Sequence, residues 1–414
     1  MRILHILHRS IPGTHGYAVR SREIVTKQLA KGLEPLVVTS PSQAPLGKLD
    51  AEHSETIEGV RYFRSCGRLL APHTEVHDPS PVRSAVRVLQ NLSLLRMALK
   101  VAKVYKPSVI HAHSPFTCGI CGNITGRRLK IPTVYEMRGI WEDSHTSRYG
   151  LSERSIRYRT VRLLENIALW KARQCVVISD SLRTEVIQRG VQADKISIVP
   201  NGVDVQKFIP GPPSSDLQES LGLNNKIIMG YVGSFFQYEG IDLLVEAMRL
   251  LMPEFPELRL LLVGDGELMP VLRKMASDFT EPGRIVFTGR MPYERVIDFY
   301  RLCDFLVLPR RKARESTLVT PLKPLEIMSM AKPLIASDVG GHREIVEDGL
   351  NGVLFESGSL ESLVAGCTNL IQNYEFRLDL GKRARMWVEA NRDWNVLIDR
   401  YVDIYTHLCG TTAP

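Results

Sequence analysis

The chain has no apolar run long enough to span a bilayer, so a transmembrane helix does not organise it. Its seven cysteines are odd in number and irregular in spacing, and they do not describe a disulfide framework. That usage fits the cytosol. The first residues, MRILHILHRS, lack an apolar h-region and a small-residue cleavage site, and read as a short strand instead of a signal peptide. No GxGxxG fingerprint occurs, so a nicotinamide dinucleotide is not indicated. No sequence repeat and no known nucleic-acid-binding module can be made out.

What is present is enough for two domains. The 414 residues exceed one average domain, and 44% apolar content supplies full cores. Charge is unevenly shared: residues 1–209 carry a net +14 and residues 210–414 a net −6. A basic first half suits an anionic membrane surface, a lipid diphosphate or nucleic acid, and the plain alternative is a solvated basic face.

Short apolar strands alternate with helices almost throughout. MRILHIL, PLVVTS, SVIHAHS, TVYEMR and CVVIS read as strands, and Tyr17–Lys31, Val82–Tyr105 and Ser155–Arg173 as helices. The Gly-, Pro- and Ser-rich segment Asn201–Asp216 reads as a linker. Beyond it the alternation restarts with IIMGYVGS, LRLLLVGDGE, RIVFTG, DFLVLP and PLIASD. This pattern predicts two parallel sheets, each covered on both faces, with ligands beyond the carboxyl ends of the strands. Trp394, Leu397, Ile398, Tyr401, Ile404, Tyr405 and Leu408 follow helical spacing, so the C-terminus must dock on a large apolar surface.

The richest stretch is Thr320–Gly352, TPLKPLEIMSMAKPLIASDVGGHREIVEDGLNG. Thr320, Leu322 and Lys323 flank Pro321 just before a helix from about Pro324 to Ala331. Free backbone N–H groups and the Lys323 charge suit a phosphate there, and Glu326 in the first turn suits a ribose diol. Gly340 and Gly341 permit close backbone approach after a strand. Gly13 and Gly16 form a similar turn in the first half. His113 ends the strand SVIHAHS at its carboxyl edge, with His111 packed beneath. Cys118 and Cys121 nearby invite a zinc reading. Their spacing is not a usual one for zinc, and cysteine also serves as a small core residue. The strand TVYEMRGIWEDS brings Glu136, Arg138, Trp141, Glu142 and Asp143 to the same edge, as a sugar- or carboxylate-contacting surface or as a salt-bridged loop.

With these residues in order, the sequence resembles the family-4 retaining glycosyltransferases of the GT-B fold, over nearly its whole length. The resemblance rests on the Gly13–Gly16 loop, His111-Ala-His113, Ser179-Asp180, Val199–Asp204, Tyr231-Val-Gly233, Gly264-Asp-Gly266, Gly289-Arg290 and the Thr320–Gly352 block. The TPLKPLE form is similar to bacterial enzymes of exopolysaccharide or capsule assembly. The resemblance implies two facing doubly wound, Rossmann-like α/β domains. Residues 1–207 would be the acceptor domain and 208–385 the nucleotide-sugar domain, with 386–414 a helix crossing back to the first. It places the donor on Gly16, Arg290, Thr320, Leu322, Lys323 and Glu326. It places the acceptor mainly on the first domain, where Tyr17, Arg20, Glu136, Arg138 and Trp141 are the candidate contacts, and the transfer beside His113 and Lys323.

Two departures stand out. The family often has a Glu-x7-Glu pair, and Leu318 occupies its first position. It also often carries Arg and Lys after the Tyr231-Val-Gly233 strand, where Ser234 and Glu239 stand here. A leaving diphosphate needs positive charge, so Lys323, Arg310 and Arg311 are expected to supply it. No nucleophile stands out, and the resemblance implies front-face substitution without a cofactor or bound metal. The expected activity is transfer of a hexose from a nucleotide-diphosphate sugar, UDP-linked by resemblance, to a lipid-linked or glycan acceptor. Its expected place is the cytoplasm, at the inner face of an anionic membrane. A sugar epimerase or phosphorylase of the same fold is the alternative, and nucleic acid is not an expected partner.

Overall fold

The computed structural model describes residues 1–13, 15–65, 81–143, 152–279, 281 and 283–410, with the backbone alone for 81–87. Thr14 of the Gly13–Gly16 loop lies outside the described residues, as do the side chains of Arg83 and Arg87, two of the basic residues by which the helix Val82–Tyr105 is expected to meet an anionic membrane. The chain forms two compact units: Met1–Pro200 together with Trp394–Pro414, and Asn201–Asp393. The divisions thus fall after Pro200 and before Trp394, whereas 207 and 386 were expected. Residues 386–393 finish the helix Tyr374–Asn391 and its exit in the second unit.

In the first unit the described strands are β1 (Arg2–Leu7), β2 (Glu34–Thr39), β3 (Ser54–Ile57), β4 (Val60–Arg64), β5 (Val109–His113), β6 (Thr133–Met137), β7 (Gln174–Val177) and β8 (Ile196–Ile198). They form one sheet in the order β3-β4-β2-β1-β5-β6-β7-β8. All pairings are parallel except β3 with β4. The hairpin between β3 and β4 turns on Glu58 and Gly59, both at positive φ (51° and 78°), as a two-residue turn matched to strand twist requires. Strands such as β2, buried from Pro35 to Thr39, take the largely apolar run of side chains that a sheet covered on both faces demands. Strand order reverses between β1 and β5, which sets the switch point of this sheet.

The terminal helix Trp394–Cys409 completes this core. Trp394, Leu397, Ile398, Tyr401 and Tyr405 are buried against Ile3, Ile24, Val109, Val134, Val176 and Val199. The helical spacing read from the sequence therefore marks the buried face, and its partner is the first unit.

The second unit contains β9 (Ile227–Val232), β10 (Leu258–Val263), β11 (Ile285–Gly289), β12 (Phe305–Leu308), β13 (Leu334–Ser337) and β14 (Val353–Phe355), in the order β11-β10-β9-β12-β13-β14. Every pairing is parallel. Its switch point lies between β9 and β12. There Gly240, at φ +70°, brings the loop after β9 so close to Pro309 that a Cβ would strike the Pro309 carbonyl. Close approach of the loops after β9 and β12 thus depends on a glycine. Among the described residues no helix is long and apolar enough to cross a membrane.

Candidate functional site

At the switch point of the second unit three charges converge. Glu239 ends the loop after β9, Arg310 follows β12, and Lys323 opens the helix Lys323–Ser329. Arg310 donates through Nη2 to Glu239 Oε1 at 3.0 Å and through Nε to Oε2 at 3.3 Å. Lys323 Nζ lies 3.0 Å from Glu239 Oε2 and donates to the Tyr231 hydroxyl at 2.6 Å. Burial alone would raise the Glu239 carboxyl, but Arg310 and Lys323 hold it at about 2. Burial pushes the Lys323 amine down, and Glu239 pulls it only part of the way back. The group carries two cations and one anion, a surplus of one positive charge.

Each of the three cations expected to supply charge to the diphosphate meets a carboxylate. Arg310 and Lys323 share Glu239, and Arg311 pairs with Asp242. A buried cation without a counter-charge is costly, and the glutamate removes that cost.

Glu326 is closed from above by two tyrosines. Its Oε1 accepts from Tyr293 at 3.0 Å and its Oε2 from Tyr300 at 2.8 Å. Burial raises its carboxyl, and the two hydroxyls oppose the rise. Each oxygen keeps further lone-pair capacity, since a carboxylate offers about four acceptor sites. Lys207 Nζ sits 4.4 Å above the Tyr293 ring. Thr320 is buried and accepts from Asn201 Nδ2 through its carbonyl at 2.7 Å and its hydroxyl at 3.2 Å. Leu322 is half-buried before the helix, and Arg290 is exposed just past β11.

One residue here carried no sequence signal. His342 follows Gly340 and Gly341, where a lone histidine reads as helix surface, yet it is fully buried. Its Nδ1 lies 2.9 Å from the Ser337 carbonyl, so Nδ1 holds the proton and Nε2 presents a lone pair. Nε2 is buried without a partner among the described residues. Burial first, and Arg310 next, push this imidazole down to about 3.

The first unit holds a closed polar network at its own switch point. Arginine can only donate, so the contact of Arg138 Nη2 with His113 Nδ1 fixes that nitrogen as acceptor. His113 Nε2–H then donates to His5 Nδ1 at 2.9 Å, and His5 Nε2–H to Gln28 Oε1 at 2.8 Å. Gln28 donates to the Tyr405 hydroxyl at 3.0 Å, which donates to His111 Nδ1 at 2.7 Å. His111 Nε2 faces Glu136 Oε2 at 3.1 Å. Glu136 also receives Arg20 at 2.9 Å, Arg138 at 2.6 Å and Tyr401 at 2.6 Å. Burial alone would raise its carboxyl; Arg138, Arg20 and the two histidines hold it well below the usual range. All three imidazoles are pushed down, chiefly by burial.

The His113 ring is 1% exposed and both its nitrogens are engaged. A direct part in transfer would require it to exchange Arg138 or His5 for a sugar hydroxyl. Arg20 and Glu136 are at most 2% exposed and sit in the same network, beneath the surface they were expected to line. Arg138 Nη1 reaches the Tyr17 carbonyl at 3.1 Å. Tyr17 and Trp141 are half-buried with ring centroids 5.8 Å apart, and Gly16 is exposed at the helix start. Trp141 Nε1 is buried with no partner among the described residues.

The histidines group as His5, His111 and His113, whose nitrogens lie within metal-ligating reach of one another. Cys118 and Cys121 are not part of that group. Burial pushes the Cys121 thiol up to about 12, away from the thiolate a metal needs.

Two family models match in succession: Glycosyltransferase Family 4 over residues 15–207 and Glycosyl transferases group 1 over residues 214–387. Together they take in most of the chain, which belongs to the family-4 glycosyltransferases of the GT-B fold. It is 28% identical over 239 residues to an uncharacterized glycosyltransferase of Methanocaldococcus jannaschii, a match spanning 58% of this chain and 59% of that one. It is 25% identical to the UDP-Gal:alpha-D-GlcNAc-diphosphoundecaprenol alpha-1,3-galactosyltransferase of Escherichia coli, over 77% of this chain and 80% of that one. With the capsular polysaccharide biosynthesis glycosyltransferase CapM of Staphylococcus aureus the figures are 22%, 89% and 95%. Among solved structures, Anabaena HepE in complex with UDP-glucose superposes at a TM-score of 0.73 with 20% identity, over 98% of this chain and all of that one. Sucrose-phosphate synthase from Thermosynechococcus elongatus reaches 0.76 at 19% identity, over 99% of each. At such identities these structures speak to the fold.

Proposed function

We propose that this glycosyltransferase moves a hexose from a UDP-sugar to a lipid-linked or glycan acceptor in polysaccharide biosynthesis, with retention at the anomeric carbon. The observation that carries the reading is the Glu239–Arg310–Lys323 group, whose surplus positive charge neighbours the Glu326 carboxylate. A diphosphate meets the cations and the ribose diol meets Glu326, with Thr320, Leu322 and Arg290 around them. The names of the galactosyltransferase and of HepE, which mention UDP-Gal and UDP-glucose, support the choice of nucleotide.

In this reading the acceptor hydroxyl attacks on the face the diphosphate leaves, and a phosphate oxygen takes its proton. Lys323 and Arg310 stabilise the departing charge. Trp141, Tyr17 and Arg138 meet the acceptor, while Arg20 and Glu136 hold that surface from below. No metal is needed, so activity should persist in EDTA. The test is turnover of UDP-sugars by wild type, Glu326→Ala and Lys323→Met, with proton NMR of the product. Strong loss of donor affinity in the first and of turnover in the second is expected. Wild-type kinetics in both would sink the site assignment, and an isomerised nucleotide sugar without acceptor would point to an epimerase.

A further inference from the structure

The first unit carries another surface, on the edge where β6, β7 and β8 enter the sheet, opposite the strand ends that bear His113 and Arg138. A groove of about 710 Å³ opens there. Ile120, Ile124, Ile131, Ile167 and Leu408 line it half-buried, and Trp170 stands 45% exposed at its side. Five cations ring it: Arg127, Lys130, Lys171, Arg173 and Lys195. No lining residue is acidic, and none of the five forms an ion pair among the described residues.

The helix Ile156–Lys171 extends this surface. Its core face is Tyr158, Glu165, Ala168 and Leu169. Ile156, Leu163 and Trp170 recur every seven residues on the outer face and are 84%, 52% and 45% exposed. A seven-residue period keeps them nearly in line. Arg157, Arg159 and Lys171 are exposed beside them. An outward apolar stripe edged by arginines, with a tryptophan held by its Nε1 bond to the Arg189 carbonyl at 2.8 Å, has the make-up of an interfacial helix.

We infer that this face docks on an anionic phospholipid bilayer. Leu163 and Trp170 enter the interface, and the groove cations meet lipid phosphates. The charge is complementary, and the apolar stripe gives the contact a depth that ionic attraction alone lacks. Nucleic acid is the poorer fit, because a single aromatic lines the groove and base stacking calls for several. The face lies on the far edge from the strand ends read as the acceptor surface, so the inference goes beyond the proposed transfer and does not depend on it.

The experiment is co-sedimentation of the full chain with phosphatidylglycerol–phosphatidylcholine vesicles. Binding that weakens with salt and is lost on pure phosphatidylcholine is expected. Each cation near an anionic surface contributes a factor of roughly five, so Arg127→Gln with Arg173→Gln should weaken binding about 25-fold. Trp170→Ala should weaken it too, with UDP affinity unchanged in both and melting temperature unchanged in the double variant. Full binding by the double variant, or loss instead in Arg96→Gln with Lys100→Gln on the helix Pro81–Tyr105, overturns the inference. So does retention of RNA in place of vesicles. Sugar transfer to a water-soluble acceptor without vesicle binding would overturn it and leave the transferase reading intact. Vesicle binding without turnover of any UDP-sugar would do the reverse.

Discussion

Replacing Glu239 with Gln removes one buried negative charge from a group that is otherwise two half-buried cations. The carboxyl falls from 4.5 to about 2 on folding, and at 1.36 kcal/mol per unit that displacement corresponds to about 3 kcal/mol. Breaking a buried ion group by removing one partner costs ~3–5 kcal/mol by an independent route. In a domain of this size ~1 kcal/mol moves the melting temperature by about 2–4 °C, so the variant should melt roughly 6–12 °C lower at pH 7. Because the folded carboxyl is depressed, its stabilisation is complete above pH 4.5 and disappears as pH falls toward about 2. The gap between wild type and variant should therefore close on acidification. The neutral variant also carries two surplus charges where wild type carries one, so UDP should raise its melting temperature more than it raises that of wild type. Scanning fluorimetry across pH, with and without UDP, reads all three effects. A variant that melts within about 2 °C of wild type at pH 7, or gains less from UDP, would refute the reasoning.

Glu165 is buried, accepts from the Phe116 N–H at 3.1 Å and from the Tyr135 hydroxyl, and is pushed by burial up to about 7. A raised carboxyl contributes stability below pH 4.5 that is lost as pH rises through 7, by about 3 kcal/mol. Urea titrations at pH 5 and pH 8 should show that loss in wild type and not in Glu165→Gln. Trp394 is 1% exposed and lies under the Arg20 guanidinium at 5.1 Å. Trp394→Ala should cost ~3–5 kcal/mol, and an unchanged urea midpoint would show that the terminal helix does not hold the first unit.

The fold was largely legible because both sheets are built from buried parallel strands. Such strands appear as short apolar runs, and the helices between them show the longer period. The hairpin of β3 and β4 escaped because SETI and VRYFR are half polar, and their Glu58-Gly59 turn is a weaker signal than Asn-Gly. β14 escaped because it is three residues long. At the site, Glu326 and Lys323 could be singled out from their place before a helix and beside glycine turns. The pairing of Glu239 with Arg310 and Lys323 could not, because it joins residues 71 and 84 positions apart through two loops. His5 was passed over for the same reason. Nothing local marks a histidine in β1 as the neighbour of His113 in β5.

The central claim is that Glu326 receives the ribose hydroxyls of a uridine diphosphate. Its most direct test is titration calorimetry of UDP and of 2′,3′-dideoxy-UDP against wild type and Glu326→Gln. Hydrogen bonds to a charged group are worth ~1.5–3 kcal/mol, so wild type should prefer UDP by roughly 10- to 150-fold, and the variant should lose most of that preference. Equal affinity of the wild-type protein for the two nucleotides would contradict the account.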